Sequence, residues 1–166
     1  MTHAQASQSP DILSPHQGVR PVNLRTDLAP LADLIETVFA DSMDDNGLAA
    51  VREMRYLSKM GPGLAVLGRL NDLAVGISLG FVWIEDDRLV GNVSLYPANW
   101  PRAAGQAWII ANVGVYPDYQ RRGIARQLML SSMNVIRQRG GDCAILQVDA
   151  DNMRAIQLYE RLGFIR

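Results

Sequence analysis

Between Val113 and Leu130 the chain reads as a strand ending at Val115, a Pro117-Asp118 turn, and a short loop, Gln120–Ala125, that runs directly into a helix. This join constrains the fold more than any other segment, because the helix must fold back onto the sheet that its strand belongs to. Phe81–Glu85 and Arg88–Tyr96 precede it as two strands joined at Asp86-Asp87, a hairpin signal, and Trp108–Val115 is a third long strand. The helix, Ile124–Arg139, carries Ile124, Leu128 and Val135 at helical spacing and stops at Gly140-Gly141. Ala144–Asp149 then reads as a buried strand, and Asn152–Leu162 as a helix that exits at Gly163. Upstream, Val19–Arg25 is a strand and Asp27 the N-cap of a helix with Leu31, Leu34, Ile35 and Val38 on one face. Residues 47–60 form a second, weaker helix, and a short one is expected near 63–72. The pattern predicts a mixed α/β sheet with helices on its faces.

Composition narrows the function. The formal charge is −1, so no global field draws nucleic acid or anionic lipid, and any basic site is local. Cys143 is the only cysteine and both histidines, His3 and His16, lie near the N-terminus. These counts exclude an intramolecular disulfide framework and a multi-cysteine zinc site, and they disfavour a histidine base in the core. Residues 1–17 are rich in Ser, Gln and Pro without a leader-like apolar run, which predicts a flexible tail. The apolar stretch Leu73–Ile84 has twelve residues, short of the roughly twenty that span a bilayer. The expectation is a cytoplasmic protein that binds neither membrane nor nucleic acid.

Backbone N–H groups at a helix start have no internal partner, and the helix dipole adds partial positive charge there. The Gln120–Arg126 loop is therefore suited to phosphate. Gly123 and Ala125 permit close backbone approach, and Arg121, Arg122 and Arg126 add charge. On composition alone, a strand–turn–helix with solvated arginines is the more economical reading. Neither G-x-G-x-x-G nor G-x-x-x-x-G-K-[ST] occurs, which argues against dinucleotide or nucleoside triphosphate use.

Gln-Arg-Arg-Gly-Ile-Ala at 120–125, preceded by V-x-V-x-P-x-Y, resembles the acyl-CoA motif [QR]-x-x-G-x-[GA] of the GNAT superfamily of N-acyltransferases. A second stretch, Asn152 to Phe164, is similar to the family pattern N-x-x-A-x-x-x-Y-E-x-x-G-F at every fixed position. The resemblance covers about residues 18–166 and implies one such domain there. It also implies a mostly antiparallel sheet, splayed at the acyl-CoA site, with helices on both faces. Relatives continue past Gly163-Phe164 with one or two more strands, so the expectation is that C-terminal strands are missing, to be supplied by a longer chain or by a partner such as a second copy.

The same resemblance implies the roles of individual residues. Val113, Gly114 and Val115 would hydrogen-bond the pantetheine arm as an added strand. Gln120, Arg121, Arg122, Gly123, Ile124, Ala125 and Arg126 would hold the pyrophosphate. Asn152 and Tyr159 stand seven residues apart, two helical turns or about 10.5 Å, and share a helix face. Read from the residues alone, Asn152 is an N-cap and Tyr159 a core aromatic. With the family, Asn152 also contacts pantetheine and Tyr159 sits near the thioester sulfur as the catalytic donor.

The implied reaction is acetyl transfer from acetyl-CoA, a co-substrate, to an amine of a small molecule or peptide in a ternary complex. A coenzyme-binding regulatory module without catalysis is the alternative. A lysine-like amine of pKa about 10.4 is neutral in roughly one molecule per thousand near pH 7.4, a penalty of about 4 kcal/mol. Many relatives place a glutamate on the central strand to offset it, whereas Trp108–Val113 carries no acid. Glu85, Asp86 and waters held by Asn112 are the alternatives. Cys143 is expected to be buried. Asp41, Asp44 and Asp45 would attract a cationic acceptor or form a solvated loop, and Trp83, Trp100 and Trp108 would line a pocket or the core. Residues 61–79 are longer and more apolar than the family's usual approach to the hairpin.

Overall fold

The computed structural model describes residues 17–60, 79–98 and 105–166. The expected tail up to residue 16, the short helix near 63–72 and Trp100 lie outside the described residues. In chain order the described elements are β1 (Gly18–Pro21), α1 (Leu28–Val38), α2 (Asp45–Ser58), β2 (Phe81–Glu85), β3 (Arg88–Pro97), β4 (Ala107–Val115), α3 (Ile124–Gln138), β5 (Cys143–Leu146) and α4 (Met153–Arg161). A single turn of 3-10 helix at Pro117–Tyr119 links β4 to the loop before α3. No helix among the described residues is long and apolar enough to cross a membrane.

The strands form one sheet in the order β1-β2-β3-β4-β5. The first four are antiparallel and β5 joins β4 in parallel. The mixed, mostly antiparallel sheet expected from the sequence is therefore present. Asp86 and Asp87, with φ of 49° and 58°, make the tight β2–β3 turn, the left-handed pair a two-residue hairpin requires. Aspartate tolerates that region better than most side chains do.

Helices cover both faces. Leu28, Leu31, Leu34 and Ile35 of α1 pack with Val51 and Met54 of α2 against Val82, Ile84 and Leu89. On the opposite face Ile124, Leu128, Met129 and Ile136 of α3 pack on Val93, Leu95, Ile110 and Val115, with Tyr159 of α4 in the same cluster. The alternation of β3 sends Val93 and Leu95 to α3, while Asn92 and Ser94 are buried on the other side.

β1 ends earlier than Arg25 because the chain wraps around a carboxylate. Asp27 occupies the position before α1 without capping it. Its oxygens instead accept both terminal nitrogens of Arg20 at 2.6 and 2.9 Å, the Asn23 N–H at 2.7 Å and the Thr26 hydroxyl at 3.0 Å. β1 is thus tied to the start of α1. Burial alone would raise the Asp27 carboxyl, but Arg20 and the Asn23 N–H outweigh it and hold it below the usual carboxylate range.

Two features of β4 shape the site. Its register against β3 slips by one residue between Gly114 and Ala111, and Asn112 there has φ of 52°. An inserted residue of this kind bends the strand. β5 pairs with β4 only from Ala107 to Ile110, so β4 runs on to Val115 with no strand on its β5 side among the described residues. β5 is consequently shorter than expected, and among the described residues it is an edge strand. Cys143, its first residue, is exposed rather than buried.

Candidate functional site

Past Ile110 the two parallel strands diverge, and α3 and α4 start beside the gap. Val113 is half-buried there, while Gly114 and Val115 are buried. A Cβ on Gly114 would lie 3.2–3.3 Å from Phe39, Leu34 and Val38. Its small size therefore serves α1 packing. The Val115 carbonyl accepts the Gln120 side-chain N–H at 3.1 Å, so of these three residues Val113 has the freest backbone on the open edge.

The loop after β4 is built from alternating backbone conformations. Arg121 (φ 65°) and Gly123 (φ 81°) are left-handed, and Gly123 is the residue before α3. Gln127 donates the first bond closing the helix, to the Gly123 carbonyl at 3.1 Å. The N–H groups of Arg121 through Arg126 have no protein acceptor among the described residues. Among the described residues a Cβ on Gly123 would meet nothing within 4 Å, so the approach to the helix start is open at Gly123. Unpartnered amides, a helix dipole and an open approach together suit an anion such as a diphosphate.

The side chains of the loop divide into two sets. Gln120 binds the Val115 carbonyl and accepts Arg154 of α4 at 3.2 Å. Arg122 reaches away from the helix start, to Glu85 at 2.8 Å and to the Asp118 carbonyl at 2.8 Å, with its guanidinium 5.0 Å over the Tyr119 ring. Arg121 and Arg126 are exposed. A cavity of about 550 Å³ lies beyond the loop, with Glu85, Asp86, Arg88 and Arg122 in its wall.

Asn152 caps α4, its side chain accepting the Ala155 N–H at 3.1 Å. Tyr159, two turns on, is 8% exposed and meets Phe164 edge-on with ring centroids 6.1 Å apart. Burial pushes its phenol above the ordinary range, which keeps it protonated at neutral pH. A phenol lowered by the site, one of two ways it could serve a leaving thiolate, is therefore not what this environment makes.

The three alternatives for proton handling separate in space. Glu85 is ion-paired and Asp86 lies in the hairpin turn, two strands away from the β4–β5 gap. Asn112 alone is on β4 past Ile110. Its amide donates to Ser94 at 3.4 Å, its carbonyl accepts Asn92 at 3.0 Å, and the Asn92 side-chain oxygen is buried without a partner among the described residues. Tyr96 belongs to the same face; burial raises its phenol and the Ser94 hydroxyl partly offsets that. The polar set Asn92, Ser94 and Tyr96 alternates along β3 with Val93 and Leu95, a period-two signal in the sequence, whereas only the β3–β4 register brings Asn112 to it. Among the acidic residues before α2, Asp44 is the helix N-cap and accepts the Gly47 N–H at 2.8 Å. Trp108 is 2% exposed and belongs to the core.

A model of the acetyltransferase (GNAT) family matches residues 61–164. Mycothiol acetyltransferase of Rhodococcus jostii is 34% identical over 94 residues, 55% of this chain and 30% of that protein. N-alpha-acetyltransferase 30 of Schizosaccharomyces pombe is 34% identical over 86 residues, 52% of this chain and 57% of that one. The match thus spans less than two thirds of either relative. A GCN5-related N-acetyltransferase from Ralstonia eutropha superposes with a TM-score of 0.64 at 23% identity, covering 89% of this chain and 92% of that one. AAC(6')-Iy, in complex with the bisubstrate analog CoA-S-monomethyl-acetylneamine, gives 0.63 at 16% identity, covering 91% and 92%. These two establish the likeness of fold.

Proposed function

The chain belongs to the acetyltransferase (GNAT) family, and on that premise we propose that it transfers an acetyl group from acetyl-CoA to an amine. The observation that carries this reading is the Arg121–Arg126 row of N–H groups at the start of α3, unpartnered among the described residues and opened by Gly123. It fits the diphosphate of a coenzyme, and the unpaired edge of β4 next to it fits an extended pantetheine arm. The complex of AAC(6')-Iy with a CoA-containing analog supports such a ligand on this fold. We read residues 18–166 as one domain, and the acceptor as a small-molecule or peptide amine, in keeping with relatives named as a mycothiol acetyltransferase and an N-alpha-acetyltransferase.

The co-substrate supplies an activated acyl group. The chain's own residues bind it through the loop and Val113, while Asn152, already the cap of α4, keeps its amide N–H₂ for the arm. Tyr159 offers a protonated hydroxyl. Full transfer from a phenol of pKa about 10 to a thiolate of about 8.5 is uphill by roughly 2 kcal/mol, and burial steepens this. Tyr159 therefore stabilises the departing sulfur by hydrogen bonding, a donor placed where charge develops. Asn112, tied to Ser94, holds the water that receives the amine proton.

Incubating the protein with acetyl-CoA and a panel of small-molecule and peptide amines, while following free thiol, tests the reading. The expected result is amine-dependent thiol release. Coenzyme binding without release on any amine would make the domain a binding module.

A further inference from the structure

Glu85 closes β2, and Arg122 stands in the middle of the phosphate loop, 37 positions later. Their side chains meet at 2.8 Å, with Glu85 17% and Arg122 53% exposed. The same guanidinium donates to the Asp118 carbonyl at 2.8 Å and lies over Tyr119. Its donors and one face are thus turned toward the hairpin. On either side of Arg122 the backbone is left-handed, at Arg121 and Gly123. For the arginine this conformation is disfavoured and persists only where surrounding contacts hold it. Hydrogen bonds or ion pairs from the exposed guanidiniums of Arg121 and Arg126 do not occur among the described residues.

We propose that Glu85 is a positioning residue for coenzyme binding. By holding Arg122 it fixes the loop in the conformation that gathers the Arg121–Arg126 N–H groups at the α3 start. Glu85 lies at the hairpin end, two strands from the β4–β5 gap, and would act through Arg122 rather than by touching the coenzyme. The inference rests on the acetyl-CoA reading of the loop.

Simple electrostatics points the other way, which makes the sign of the effect decisive. A carboxylate near an anion site repels the anion, so removing its charge should tighten binding if charge were all that mattered. If Arg122 itself held phosphate, releasing it from Glu85 should tighten binding as well. Positioning demands weakening.

The test is calorimetric affinity for CoA in the wild type, Glu85→Gln, Arg122→Gln and the double variant. Both single variants should bind CoA roughly three- to tenfold more weakly, the range of a partly exposed, charge-assisted pair. The double variant should be no weaker than either single, because the two residues act as one unit. Acetyl-CoA KM should rise by the same factor with kcat at saturation unchanged. Unchanged or tighter CoA binding by Glu85→Gln, or additive losses in the double variant, overturns the proposal and leaves the acetyl-CoA reading standing. A wild type that binds no CoA overturns that reading and this one together.

Discussion

Gly123 and Tyr159 hold opposite positions in the site, one defined by having no side chain and the other by a buried one. A Cβ at 123 meets no atom within 4 Å, although its φ of 81° strains any other residue. Gly123→Glu should therefore fold, with a stability loss of about 1–2 kcal/mol from the left-handed backbone. It should also lose CoA binding in calorimetry, since a carboxylate then stands at the helix start. Retained affinity would remove the phosphate role of the loop. Tyr159→Phe preserves the ring that packs on Phe164 and deletes the hydroxyl. It should reduce kcat by roughly a hundredfold and leave the acetyl-CoA dissociation constant within about twofold. Because burial raises the phenol, its proton stays on through pH 6–9, and the wild-type-to-variant rate ratio should be flat across that window. A ratio that falls as pH rises within it would mean a lowered phenol.

At the level of elements, what the sequence made legible was local. The β2–β3 hairpin announced itself through adjacent aspartates, α3 through its apolar spacing and glycine stop, and α4 through Asn152, which does cap it. Contacts between distant segments left no such mark. Asp27 sits where a helix cap belongs, yet its carboxylate serves Arg20 of β1. That choice depends on a turn that returns the strand to the helix start. The tie has a pH signature. A carboxyl lowered in the folded state stabilises the protein above its unfolded pKa, near 3.9, and the contribution disappears as pH falls through the folded value. Asp27→Asn should lower stability by about 1–2 kcal/mol at pH 7, discounted for the partly exposed arginine. Denaturant titrations should show that difference shrinking below about pH 4. A difference that persists undiminished in acid would assign the loss to packing. The ends of strands were equally hidden: β5 stops at Leu146, next to the point where β4 bends at the Asn112 bulge, and with no strand on its other side among the described residues a segment read as buried is an edge, with Cys143 exposed at its start.

Over the whole molecule, a net charge of −1 offers no broad attraction for an anionic coenzyme, so binding must be local. The fold concentrates what is needed at one end of the sheet, where the β4–β5 gap, the α3 start and the α4 cap converge. The two motifs that mark this end are read directly from the sequence, whereas the Glu85–Arg122 clasp behind it arises only when the hairpin and the loop fold together. The loop between β4 and α3 is the proposed seat of the coenzyme's diphosphate. Backbone amide shifts followed by NMR during a CoA titration test that claim most directly. The largest changes should fall on Arg121 through Arg126, with a second set at Val113 and Asn152. Shifts confined to the cavity walled by Glu85, Asp86 and Arg88, with 121–126 unmoved, would contradict it.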